Sequence, residues 1–145
     1  MDEVYLNGQF IPRDEAMISP DDRGFLLGDS IYEVIRWYGG YFFDFPGHAA
    51  RLRRSLDETR IAWADNSKFE EIAEELVQRN GLGTECAIVY FQVTRGVAPR
   101  THAFPDPQVK PTVYGFARRQ SINTLAAEKG VAIWLTPDPR WNRCD

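Results

Sequence analysis

Basic blocks, membrane-length apolar runs and nucleophile motifs are all missing from this chain, and each absence removes a class of function. Lysine and arginine number 17 against 21 aspartates and glutamates, for a net charge of -4. With no basic block and no interleaving of aromatic with basic residues, nucleic acid is excluded as the main partner, and a small polar ligand fits better. No apolar stretch approaches the roughly 20 residues that a membrane span needs. No membrane partner is therefore expected, and the acidic start Met1-Asp2-Glu3 does not suit a signal peptide. Cysteine is scarce, with Cys86 in a strand pattern and Cys144 near the end. The two lack metal-ligand spacing, and the chain reads as cytoplasmic, where both thiols would stay reduced. Catalytic serine and cysteine motifs, zinc spacing, a Walker loop and a dinucleotide fingerprint are also absent, so no metal site is expected. No internal repeat or low-complexity segment occurs.

What is present is enough apolar material for one core and at most a small appendage: 43% of 145 residues are hydrophobic and 13% aromatic. Val4-Tyr5-Leu6 and Gln9-Phe10-Ile11 are short strand patterns joined by Asn7-Gly8, a strong hairpin signal because both turn residues tolerate positive φ. Ser30 to Asp44 reads as a second hairpin turning at Gly39-Gly40. Pro46-Gly47 breaks that strand, and Ala49, Leu52, Leu56 and Thr59 then recur at helical spacing. A second helix follows Ser67-Lys68-Phe69-Glu70, read as a capping box, with Phe69, Ile72, Ala73, Leu76 and Val77 on one face and Asn80-Gly81 as the stop. Cys86 to Thr94 is nearly continuously apolar or β-branched, which predicts a central strand covered on both faces. Pro111 to Ala117 is a further strand, Arg118 to Gly130 a polar stretch with a helical turn at Asn123 to Lys129, and Val131 to Thr136 a new strand. The expectation is an α/β (α+β) two-layer sandwich: a mostly antiparallel sheet with two packed helices, plus the first strand of a second domain. Its divisions are a small domain over 1–118, a linker over 119–130 and the start of a truncated second domain over 131–145.

Three places could carry chemistry. The loop Arg95 to Pro105 leaves the long apolar strand and holds Arg100 and His102 two residues apart. The guanidinium fork matches two carboxylate oxygens and the imidazole adds a donor, so the pair suits a small acid; a solvated loop tip is the plainer alternative. Gly24 and Gly28 hinge a loop that delivers Tyr32 to a strand start, where its phenol either faces a cleft or fills the core. Arg51 is placed in the first turn of its helix, where the dipole and the guanidinium both favour phosphate; with Arg53 and Arg54 nearby, a solvated basic face is the other reading. The acidic pairs Asp21-Asp22, Glu70-Glu71 and Glu74-Glu75 do not converge on one point and read as solvated faces.

Several segments together resemble the fold-type IV pyridoxal-phosphate aminotransferases, and within them the D-amino-acid (D-alanine) aminotransferases. They are Asp22-Arg23-Gly24 with Gly28-Asp29-Ser30-Ile31-Tyr32-Glu33-Val34, His48 to Leu52 carrying Arg51, Phe91 to Gly96 leading to Arg100-Thr101-His102, and Arg140-Trp141-Asn142-Arg143-Cys144-Asp145. The resemblance implies that Arg51 binds the phosphate of pyridoxal 5'-phosphate and that Tyr32, Arg100 and His102 hold the substrate carboxylate. It further implies a homodimer in which loop 95–105 reaches the neighbouring active site, with D-amino acids and 2-oxo acids as substrates. The family's catalytic lysine falls two positions beyond Asp145, so no catalytic residue lies in this segment and the chain is expected to be cut mid-domain. Leu27 and Ser30 depart from the usual pattern, which bears on the side-chain pocket. The rival readings are a branched-chain or (R)-amine transaminase, an aminodeoxychorismate lyase, or a non-catalytic anion-binding domain.

Overall fold

Five strands in the order β2-β1-β5-β4-β3 form the sheet of the computed structural model, which describes residues 2–138. The strands are β1 (Glu3–Leu6), β2 (Gln9–Pro12), β3 (Ser30–Tyr38), β4 (Cys86–Thr94) and β5 (Thr112–Arg119), and every pairing between them is antiparallel. Two helices, α2 (Phe45–Thr59) and α3 (Phe69–Arg79), cover one face, which is the expected two-layer sandwich. The short helices α1 (Arg23–Leu27) and α4 (Thr124–Lys129) and two 3-10 turns, Arg13–Glu15 and Ala64–Lys68, complete the list among the described residues. The first hairpin forms as read, with Asn7 and Gly8 at φ of 50° and 99°.

Burial decides which face of each strand meets the helices. Along β4, Ala87, Val89, Phe91 and Val93 are buried, while Cys86, Ile88, Tyr90 and Gln92 are only half-covered. The expectation that both faces would be covered is thus corrected: the helix layer lies on one side only, and the unbroken apolar run conceals a one-sided strand. At the centre, the Phe91 ring meets Phe69 edge-on at 4.9 Å between centroids and also neighbours Tyr5 and Trp63.

Four further elements depart from the sequence reading. The arm returning after Gly39-Gly40 makes a single bridge, Trp37 to Phe42, before Asp44 turns the chain at φ 46° into α2. Helix α2 starts at Phe45, because a proline in the first turn forfeits no hydrogen bond; Pro46 opens the helix as well as closing the strand. The Ser67–Glu70 capping box is not made, since Ser67 is taken into a 3-10 turn (Ala64–Lys68) and Lys68 stands at the N-cap without a side-chain bond. The stretch expected to be a glycine-hinged loop is helix α1, capped by the Asp22 carboxylate, which accepts from the Gly24 N–H at 2.8 Å.

Residues 131–138, where a strand was expected, have no regular structure and are largely exposed. A strand exists only by pairing, and Val131–Thr136 pairs with none of the described strands. The readings on Arg140 to Asp145, Cys144 included, lie outside the described residues.

Candidate active site

Register brings the chemistry to one end of the sheet. Ser30 pairs with Thr94 and Tyr32 with Gln92, so the loop after β4 departs beside the start of β3. Successive residues of β3 point to opposite faces. Glu33 therefore enters the helix layer, while Tyr32 stands on the open face, 67% exposed and stacked on Tyr90 at 6.1 Å. On that face the Tyr90 hydroxyl donates to Gln92 Oε1 at 2.7 Å and the Gln92 amide donates to Ser30 Oγ at 3.0 Å. A groove of about 630 Å³ adjoins them, lined in part by Ile18, Phe25, Gln92, Thr94 and Tyr114.

Glu33 is the group that the sequence reading missed beneath Arg51. It is 1% exposed, and it accepts two bonds from the Arg51 guanidinium, Nε to Oε1 and Nη2 to Oε2, both at 2.6 Å. His48 Nδ1 lies 2.8 Å from Oε2. Because α2 begins at Phe45, Arg51 sits in the second helical turn, which corrects its placement in the first. The dipole argument for phosphate weakens accordingly, since that field falls off within the first turn. What replaces it is geometry: the side chain is 53% exposed yet fixed along one edge by a buried carboxylate, leaving Nη1 directed to no acceptor among the described residues.

Burial by itself would raise the Glu33 pKa, but the hydrogen bonds and charges of Arg51 and His48 outweigh it and hold the carboxyl below its ordinary value of 4.5. The same bonds raise the Arg51 pKa further. A group whose folded pKa is depressed adds stability above its unfolded value and loses it as pH falls through the folded value. Melting temperature is therefore expected to decline below about pH 4.5, with Glu33→Gln flattening that acid limb. A variant with the parent's acid limb would show that Glu33 is not among the linked groups.

Loop 95–105 is where the remaining candidates stand. Arg100 and His102 are both exposed, and neither has a hydrogen bond or ion pair with another described residue. The structure shows no hydrogen bond between Arg51 and Tyr32, whose charge when ionised is only the smallest contributor to the raised Arg51 pKa. It records no contact of Arg100 or His102 with either.

The loop's root, in contrast, is locked. Thr94 Oγ1 donates to Asp22 Oδ2 at 2.9 Å and accepts from the Gly96 N–H at 3.0 Å, and Asp29 pairs with both Arg23 and Arg95. Asp22, Arg23, Asp29, Glu33 and Arg95 each lay inside a segment quoted for the resemblance. Their side-chain hydrogen-bond partners from other side chains stand between 6 and 72 positions away, a separation that no local pattern reveals.

A family model described as amino-transferase class IV matches residues 30–144, a span that includes Tyr32, Glu33, Arg51 and the whole loop. The chain belongs to the class IV aminotransferases. Among curated members, a D-alanine aminotransferase from Staphylococcus haemolyticus is 38% identical over 146 aligned positions, covering all of this chain and 51% of that protein. Another, from Staphylococcus aureus strain MSSA476, is 39% identical over 148 positions with the same coverage. A third, from Listeria monocytogenes, is 34% identical, with 99% of this chain and 50% of that protein covered. The chain thus spans about half the length of the curated relatives it matches. Among solved class IV structures, a branched-chain amino acid aminotransferase from Escherichia coli superposes with a TM-score of 0.75 at 19% identity, over 84% of this chain and 41% of that one. A T.th. branched-chain enzyme, solved with N-(5'-phosphopyridoxyl)-L-glutamate, gives 0.71 at 26% identity, over 82% and 41%. The match to these structures over more than four fifths of this chain shows a shared fold.

Proposed function

We propose that this chain is the small-domain portion of a pyridoxal 5'-phosphate-dependent D-amino-acid aminotransferase, converting D-alanine and 2-oxoglutarate to pyruvate and D-glutamate. The observation that carries the reading is the pair Arg100 and His102, without partners among the described residues and presented on a loop whose root is held by buried ion pairs. Two such donors on a fixed base suit an external carboxylate. Whole-chain identity of 38 to 39% with D-alanine aminotransferases supports the same choice. The branched-chain enzymes share the fold at lower identity, so the fold does not separate the two activities.

In this reading, residues 1–118 form the small domain, 119–130 the linker, and the stretch from 131 the beginning of the cofactor domain. Arg51, with Nη1 still available, holds the cofactor phosphate. Tyr32, Arg100 and His102 hold the substrate carboxylate, the loop 95–105 of one protomer serving its partner's site in a cytoplasmic homodimer. No described helix is long and apolar enough to cross a membrane. When bound, the cofactor supplies an electron sink for the α-carbon. The task of this chain is orientation: the side on which the carboxylate is gripped decides which hand of the amino acid presents its α-hydrogen to the base.

The direct test is turnover of D-alanine with 2-oxoglutarate by the full-length protein. Activity with L-leucine or L-isoleucine and none with D-alanine would overturn the proposal. A charge-assisted bidentate contact is worth about 1.5 to 3 kcal/mol, so Arg100→Ala is expected to raise the D-alanine KM roughly ten- to a hundredfold with cofactor absorbance retained. Arg51→Ala is expected to do the reverse, losing cofactor on gel filtration. Equal loss of absorbance in both variants refutes the division of roles.

A further inference from the structure

One partly buried carboxylate ties together the two segments that carry the proposed anion contacts. Asp29 Oδ2 accepts from Arg23 Nε at 2.8 Å and from Arg95 Nε at 2.7 Å, and Oδ1 accepts from Arg95 Nη2 at 3.0 Å. The side chains are 15%, 2% and 4% exposed for Asp29, Arg23 and Arg95, so all three are largely removed from water. Each arginine also donates to backbone carbonyls. Arg23 Nη1 donates to the Thr101 carbonyl at 2.8 Å. Arg95 Nη1 and Nη2 donate to the carbonyls of Arg60 and Thr59, at the C-terminal end of α2, at 3.1 and 2.8 Å. Phe104 closes the far side of the loop, its ring 3.9 Å from the Arg95 guanidinium carbon.

Thr101 is the residue between Arg100 and His102, and α2 is the helix that carries Arg51. We propose that Asp29 and Arg23 are positioning residues for substrate binding: they set the backbone at Thr101, and hence the directions in which Arg100 and His102 leave the loop, relative to α2. The inference rests on the carboxylate-binding role given above to Arg100 and His102. The choice of bond is what distinguishes it from a general structural brace. A lysine at position 23 keeps the positive charge beside Asp29, yet a single ammonium cannot replace a guanidinium that holds Asp29 through Nε and Thr101 through Nη1. The bonds from Arg95 and Arg23 also overcome the effect of burial and keep the Asp29 carboxyl below its ordinary range, so the anchor remains charged at neutral pH.

The experiment compares Arg23→Lys, Asp29→Asn, Phe104→Ala and Arg100→Ala with the parent in the full-length holoenzyme. The readouts are D-alanine KM, kcat, bound-cofactor absorbance and melting temperature. Loss of a hydrogen bond to a charged group corresponds to about a tenfold change. Arg23→Lys and Asp29→Asn are therefore expected to raise KM by about tenfold, with kcat within about twofold of the parent and cofactor retained. Phe104 is a half-exposed ring whose removal leaves the core intact, so Phe104→Ala keeps the test open if the other two do not fold. Its expected effect is about a threefold rise in KM at unchanged melting temperature. Unchanged KM in the variants that fold, with Arg100→Ala still raising it, overturns the positioning role alone. Unchanged KM in Arg100→Ala overturns the carboxylate reading and this inference with it. A fall in kcat and cofactor content at constant KM marks a merely structural cluster and also overturns the inference.

Discussion

Gly96→Ala is expected to destabilise the domain by about 3 kcal/mol or more, combining the cost of a disallowed backbone conformation with that of overpacking. Gly96 stands at φ 102°, and an added Cβ would lie 2.0 Å from the carbonyl oxygen of Lys110 and 3.0 Å from its carbonyl carbon. That neighbour is backbone and cannot rotate away. Gly96 also accepts from the Arg23 N–H at 2.9 Å and donates to Thr94 Oγ1, so a shift here spreads to α1 and to the base of the loop. For a chain of this size the loss corresponds to a melting-temperature drop on the order of 10 °C, checked by calorimetry. A variant melting within about 2 °C of the parent would show that the approach of Lys110 is relieved at little cost.

Phe91→Ala is expected to cost about 3 to 5 kcal/mol, the usual range for emptying a large aromatic site in a core. The ring is fully buried, touches Phe69 edge-on, and lies so close to Gly115 on the paired strand that a Cβ there would be 2.9 Å from it. It thus joins β4 to β5, α3 and the turn that carries Trp63, and no one of these can close the void without leaving another. Urea titration should show a lower midpoint at a similar slope. A midpoint shift equivalent to less than about 1 kcal/mol would mean that the surrounding rings collapse into the space, contrary to the packing described.

Much of this molecule was legible where the signal is local. Asn7-Gly8 specified a hairpin because few other pairs accept two positive φ angles. The face Phe69, Ile72, Ala73, Leu76 and Val77 specified α3, and all five residues are buried. Arg100 and His102 stood out because an arginine and a histidine two residues apart on one loop suit a small acid. Errors arose where a local rule had two outcomes. Pro46 can end a strand or begin a helix, and the choice moved Arg51 by a turn. The continuous apolar run of β4 suits a strand buried on both faces or one whose outer face carries half-covered aromatics such as Tyr90.

Pattern and motif sufficed for the five strands, for α2 and α3, for the two-layer class and for the family, because hydrophobic periodicity, turn chemistry and short-range spacing are properties of neighbouring residues. Only the folded chain could assign the ion pairs. Glu33 meets Arg51 across a strand-helix contact, and Asp29 gathers Arg23, Arg95 and, through Arg23, the Thr101 carbonyl from points as much as 78 residues apart. The energy of such a charge depends on whether water is excluded around it, and burial is set by the assembly of all the layers together.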